Sequence, residues 1–587
     1  MRKLLVLASL LALGATVLRA AAAGEFPRGL AGRETVASED SPSVGAFVAA
    51  LKAEMEGAAV RPAPSPKSFQ EAIGRIAPDY AGAPRCLTPV VLELSRQAAS
   101  SPALASWAGP VFSPPVLSRE LVSTSPDGAF AIHYTLDRVS GDAVLAVDRD
   151  HNGIPDYVDL VASSLASARE AISTRMGFRP PLARDTFHLY LANLGGRIDG
   201  YTASSASGDE LFTVLDSRLL GNDALLRAAV THQYAHASLA PYAPQAPPWW
   251  IEATAAWLEG VAVGSYAHYT EQIQAAVDRA ASGLVSDDAR LCQGHLLWPV
   301  YLATLGGREP LVRRIWENLE QQGEAADLWR ATDDALRAAG SSTEAAFSDY
   351  SLWLLLSGER SDGRHFAGAD RFGGVSFTGL YEAYPATQIQ TAPSLAPLGV
   401  AFMRFTPDSV DGGLRLRFEG DVPGIFQAQV LLTPRKRGAA LVRAPISVDS
   451  RGRGSIGIPW ATFSEAILIV GNVARVGGDA PYSFVARSEP NFPFEIVSFN
   501  AEPSDEEVRV TWETRSESGL FGWIVYRSDR PSGVPHRINE FVVPAIGDGD
   551  GPVSYQYVDD GVTRGGTYFY SLKLNGRVVG SRKTVRL

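Results

Sequence analysis

Along this chain, apolar positions recur at helical spacing in some stretches and alternate or bunch into short runs in others. Residues 24–120 carry two helical patches, "SVGAFVAALKAEME" and "TPVVLELSRQAA", broken by proline-rich pieces such as "RPAPSPKS" and "GPVFSPPVLS". This Ala/Pro-rich segment reads as a propeptide, as a strap that wraps the next domain, or as a poorly ordered lead-in. Over 121–365 the pattern is mixed. "FAIHYTL" and "TFHLYLANL" predict strands, whereas "YVDLVASSLASAREAISTRMGF", "NDALLRAAVTHQYAHASLA", "WWIEATAAWLEGVAV" and "HYTEQIQAAVDRAASGL" predict helices. Strands first and then mostly helices imply an α+β domain. Over 370–487 the short strands "GVAFMRF", "GLRLRFEG", "QAQVLLT" and "EAILIVGN" stand between Gly, Pro and Asp turns and predict a β-sandwich. After a linker, "RSEPNFPF", the same texture returns over 490–587 in "EVRVTWE", "GWIVYRS", "YQYVDD" and "TYFYSLKL". The tryptophan in an early strand and the late Tyr-x-Tyr strand resemble a fibronectin type III-like module.

Composition adds compartment and excludes some partners. A chain of 587 residues is too long for one core, and 46% hydrophobic with 20% charged residues is ordinary globular content. A net charge of −11 argues against nucleic acid or an anionic membrane as partner. Arg2 and Lys3 precede an apolar run from Leu4 to Leu18, and small residues from Ala20 to Gly24 follow. This predicts a signal peptide over 1–23, cleaved near Ala22 or Ala23, and an exported protein with no membrane span. Two cysteines, Cys86 and Cys292, could form one disulfide tying the N-terminal segment to the central domain, or stay apart.

Residues 148–159 read DRDHNGIPDYVD. Asp148, Asp150, Asn152, Asp156 and Asp159 place oxygens at positions 1, 3, 5, 9 and 12 of a calcium loop, with Gly153 at the sharp turn and the Ile154 carbonyl at position 7. The bland alternative is a solvated acidic turn capping a helix through Asp156. Aspartate at position 12 offers a less certain bidentate ligand than glutamate.

Residues 231–236 read THQYAH. On a helix His232 and His236 lie on one face and can aim two imidazoles at one metal. Glu252, on the following helix, is a third candidate ligand. Two histidines and one glutamate leave a fourth position open for water, as catalytic zinc requires.

From about 125 to 360 the chain resembles a family of exported bacterial zinc metalloproteases of the HExxH…E type. The resemblance lies in "FAIHYTL", in "DRDHNGIPDYVD", in "MGFRPP", in "HLYLANLGG" with "GYT", and in the two helices with H-x-Y-x-H and W-x-x-E-x-x-A-x-W-x-E. It implies a zincin-like domain followed by two all-β modules, with His232, His236 and Glu252 as zinc ligands and a protein or peptide as substrate or ligand. Gln233 then stands where the family has its general-base glutamate. An amide cannot accept the proton, and losing a general base costs ~10²–10⁴-fold in rate. Glu259 is either a partner of a ligating histidine, a substitute base, or a helix-end carboxylate. His268, Tyr242, Tyr266 and Tyr269 are candidates for stabilising an oxyanion, and His295 reads as a packed core histidine. Three expectations follow: a secreted metallopeptidase with weak or lost hydrolysis, an inactive relative that binds peptides or partners, or a structural surface protein whose β modules do the binding.

Overall fold

The computed structural model describes Val48 and, with short breaks, residues 86–586. The expected signal peptide, and residues 24–85 apart from Val48, lie outside the described residues. A helix-rich region is followed by a β-rich one. They fall into two compact units, the first running to Val375 except for 280–283, which belong with the second.

The first unit is organised by a five-stranded sheet of order β1-β2-β3-β5-β4, made of β1 (Leu121–Thr124), β2 (Phe130–Tyr134), β3 (Phe187–Ala192), β4 (Gly200–Ser204) and β5 (Leu211–Asp216). β2, β3 and β5 run parallel, and β4 runs antiparallel to β5 at one edge. "FAIHYTL" and "TFHLYLANL" fall on β2 and β3. β4 and β5 were not foreseen as strands. β5 is buried along its whole length, so it lacks the alternation that marks a strand with one wet face.

Successive side chains of a strand point to opposite faces. One face of this sheet presents Tyr190, Ala192, Tyr201, Ala203, Phe212 and Val214, and these form one core with Leu87, Val90, Val91 and Leu94. The latter come from Leu87 and helix α1 (Thr88–Ala98), which is followed by α2 (Pro102–Ala108). The described end of the N-terminal segment is therefore part of the first unit, and that unit begins earlier than residue 121. On the other face lie α3 (Asp156–Ala168) and α4 (Asp223–Leu239), whose Tyr234 meets Phe130 and Phe187 edge to face at 6.2 and 6.5 Å. α5 (Pro248–Val263) packs on α4 and is buried from Trp249 to Gly260. Trp250 stacks on Trp316 and Trp249 on Trp329, which fixes α5 against the later helices. α6 (Thr270–Asp278) follows, and among the described residues five more α-helices lie between Ala289 and Leu355.

In the second unit, a five-stranded sheet containing Phe426–Pro434 and Phe463–Asn472 shares one core with a four-stranded sheet containing Gly413–Gly420 and Tyr482–Glu489. Further on, a sheet of Glu495–Ser504, Glu507–Ser516 and Val553–Asp559 shares a second core with a sheet built on Gly522–Ser528, Thr567–Leu574 and Arg577–Arg586. Each strand predicted over 399–574 is present; Gly413–Gly420 alternates along most of its length, whereas Val400–Phe405 and Phe463–Asn472 are buried nearly throughout and were marked by apolar runs between turn residues.

Candidate metal centre

The site is assembled by α4 and α5 beside the antiparallel edge of the sheet. Asn222 caps α4 by accepting a hydrogen bond from Leu225 N, and Pro248 opens α5 after the proline-rich turn. The four-residue spacing on α4 turns both histidines towards α5. His232 Nε2 and His236 Nε2 stand 3.0 Å apart. Glu252 Oε1 lies 3.0 Å from His236 Nε2, and its Oε2 lies 3.5 Å from His232 Nε2. All three side chains are buried. The residues singled out by the helical spacing therefore meet.

The fourth side of the cluster is not open. Cys86 Sγ lies 3.3 Å from His236 Nε2, and ligand atoms of Cys86, His232, His236 and Glu252 all lie within 4.8 Å of one another. This corrects the expectation of a free position for water. It also settles the cysteines: no disulfide joins them, because Cys86 sits at the histidines while Cys292 is buried elsewhere, its thiol 3.9 Å from the Ser286 carbonyl.

The donor set fits a metal such as zinc. A tetrahedron with bonds of about 2.0–2.3 Å has edges of about 3.3–3.7 Å, close to the distances seen here. Glu252 Oε1 is buried and, although near His236 Nε2, has no hydrogen-bond partner. A buried carboxylate oxygen without a hydrogen-bond partner, set against two ring nitrogens that crowd each other and a thiol, is an arrangement that a cation would resolve.

The surrounding residues hold this geometry. Gln293 Nε2 donates to Glu252 Oε2 at 3.1 Å. Glu259, one of the sequence candidates, reaches the opposite ring nitrogen of His232, with Oε2 at 3.2 Å from Nδ1. Tyr269 OH donates to the same carboxylate oxygen and lies 3.0 Å from His232 Nδ1, and His268 Nε2 contacts Glu259 Oε1. Tyr266 and Tyr242 do not reach the cluster: one hydroxyl donates to the Trp257 carbonyl, and the other accepts from Arg179 N. His295 packs edge-on against Trp249, as a core histidine should, and burial pushes its pKa down to about 3.

Gln233 does not face an open coordination position. Its Oε1 accepts from Thr202 Oγ1 at 2.9 Å and from Thr88 Oγ1 at 3.4 Å, while its Nε2 donates to Cys86 Sγ at 3.3 Å. The free space beside Cys86, His232, Gln233, Glu259 and Tyr269 is about 20 Å³, room for one water molecule and not for a peptide.

Charges are tightly coupled. Burial and Glu252 push the Cys86 thiol up, but the two imidazoles outweigh them and its pKa is lowered. Burial alone would depress both histidines; Cys86 and Glu252, with Glu259 added at His232, raise them instead. Glu252 is held well below the carboxylate range against its burial by His236 and His232. Glu259 is likewise pushed down to about 2, against its burial, by His268 and His232. Without a metal the cluster is thus a set of buried ion pairs, protonated imidazoles against thiolate and carboxylates.

At the acidic loop, Asp148, Asp150 and Asp156 carboxylates converge. Gly153 has φ +87°, the left-handed turn that the loop pattern requires. Asn152 Nδ2 lies 3.2 Å from Asp150 Oδ2 and 3.0 Å from Asp159 Oδ2, while its Oδ1 accepts from Ile154 N. Asp156 accepts from Arg149 N and lies in the first turn of α3, but no side chain caps that helix, so the capping reading does not hold.

Sequence reasoning missed Cys86, Thr88, Thr202 and Gln293 as members of the site. Nothing in their spacing links them to His232. Comparison with known protein families and with curated proteins finds no match to this chain.

Proposed function

We propose that the first unit is a zinc-binding domain of the exported metallopeptidase type described above, in which the metal is kept and peptide hydrolysis is lost. The observation that carries this is the convergence of His232 and His236 from one helix with Glu252 from the next, backed by Glu259 on His232. A mixed sheet whose antiparallel edge strand lies over the histidine helix supports a zincin-like reading of the fold. Zinc bound there supplies a fixed positive centre. Gln233 cannot take up a proton, and its amide is already engaged on both ends.

The protein then acts outside the cell as a metal-stabilised binding module, with the β-rich unit supplying surface for a peptide or protein partner. The three-stranded and five-stranded sheets that share a core near the C-terminus support a fibronectin type III-like reading of the last module. The loop 148–159 holds calcium as a structural ion. Among the described residues no helix is long and apolar enough to cross a membrane.

Metal analysis of the purified chain tests the reading. One zinc per chain is expected, lost on His232→Ala or His236→Ala, with casein left uncut by the wild type. A metal-free chain, or casein hydrolysis that disappears with His232, overturns it.

A further inference from the structure

We infer that Cys86 is the fourth ligand of the metal and that Gln233 is the positioning residue that makes a thiolate tolerable there. The centre is then a closed Cys-His-His-Glu site. This rests on the metal-site reading above and adds the identity of the ligand that shuts it.

Sulfur is placed by rigid backbone. Cys86 forms a parallel β-bridge to Gly200 on the outer edge of β4, Leu87 N donates to the Gly200 carbonyl at 3.1 Å, and α1 begins at the next residue. The segment lies along the edge of β4 where an extended peptide would otherwise pair. The chain thus occupies both the strand edge and the remaining corner of the metal site.

The surroundings of the sulfur suit a thiolate. Gln233 Nε2 at 3.3 Å and Thr88 N at 3.4 Å both donate to Sγ, while the metal-free thiol donates to Thr88 Oγ1 at 3.1 Å. A neutral thiol is a weak acceptor, whereas a buried anion gains from two N–H donors. The Gln233 amide is oriented by Thr202, whose hydroxyl is itself paired with Thr213 Oγ1 at 2.7 Å across β4 and β5. With its oxygen held there, the amide can only present N–H to sulfur. Glutamate at 233 would set a carboxylate oxygen against the thiolate in a buried site, and like charges there repel strongly. The glutamine that removes the general base is the same residue that permits the fourth ligand. On metal binding the thiol proton passes to solvent and an S–metal bond forms, which favours zinc or cobalt over magnesium or calcium.

Cobalt(II) is the probe, loaded into the full chain carrying Cys292→Ser so that Cys86 is the sole thiol. A thiolate-to-cobalt charge-transfer absorption is expected and is lost in Cys86→Ser, with one cobalt still bound. Gln233→Ala should move the band to longer wavelength, because the sulfur lone pair loses its donor. A mere packing role for Gln233 would leave the band in place. If Cys86→Ser does not fold, alkylation decides: iodoacetamide should label Cys86 only after chelation. Cobalt bound without the absorption, or labelling equally fast with and without metal, overturns this inference and leaves the metal site standing. A chain that binds no cobalt overturns both.

Discussion

Glu259 Oε2 stands 3.2 Å from His232 Nδ1, on the side of the ring away from Glu252 and Cys86. A carboxylate there fixes the tautomer that leaves Nε2 free for a metal, and strengthens that nitrogen as a donor. Glu259→Gln keeps the size and removes the charge. Metal affinity should fall ~10–100-fold, read by chelator competition, with the circular dichroism spectrum unchanged. Undiminished affinity would reduce Glu259 to a packing role.

Gly200 sits where β4, Cys86 and Gln233 meet. A Cβ there would lie 2.6 Å from the Val214 carbonyl oxygen and 3.3 Å from Gln233 Cγ. Backbone cannot yield as a side-chain end can. Gly200→Ala should destabilise the first unit by about 1–3 kcal/mol in urea unfolding and weaken metal binding as Gln233 is displaced. Stability equal to wild type would show that the strand edge shifts freely.

His232, His236 and Glu252 were legible because a helix converts spacing in sequence into placement in space. Pro248 and the tryptophans of α5 marked the second helix in the same way. Cys86 was not legible, since strand-edge pairing to Gly200 carries no spacing rule and brings together residues far apart in the chain. Thr202 was hidden for a related reason: it lies on a short edge strand whose inward face is polar because it serves the site. In the β-rich unit the strands could be read directly, because short apolar runs, alternating or continuous, stand between Gly, Pro and Asp turns.

Protonation sets the sign of the pH response. His232 and His236 are raised above their ordinary 6.5, so their contribution to the metal-free fold is full below 6.5 and fades as pH rises through the raised values. Glu252 is lowered from its ordinary 4.5, so its contribution is full above 4.5 and is lost as pH falls towards the lowered value. A metal needs both imidazoles without their Nε2 protons, so binding releases protons and strengthens with pH. Melting temperatures of metal-free and metal-loaded protein should therefore separate more widely at pH 8 than at pH 6. A gap of constant width would speak against the histidines as ligands.

The loop 148–159 places three carboxylates within reach of one ion, and exposed acidic groups repel one another without it. Calcium at about 100 times its dissociation constant should add about 2.7 kcal/mol to stability and raise the melting temperature. Asp148→Asn, which removes the charge at the first position, should abolish the increment. A melting temperature indifferent to calcium and to a chelator would leave Asp156 with its bond to Arg149 N alone.

The last prediction joins the two changes that separate this site from a hydrolytic one. Cys86→Ala removes the sulfur and leaves a coordination position for water, but Gln233 still cannot accept a proton. Gln233→Glu supplies the base but sets its carboxylate against the Cys86 sulfur, which still crowds the fourth position. Only the double variant, Cys86→Ala with Gln233→Glu, has both. It should hydrolyse a small activated ester ~10²–10⁴-fold faster than Cys86→Ala alone, and Gln233→Glu alone should stay near the wild type. A small ester is the right substrate, because the backbone of residues 86–87 still lies along β4 and keeps a peptide out. A wild type already as fast as the double variant would mean that the thiol does not block the metal.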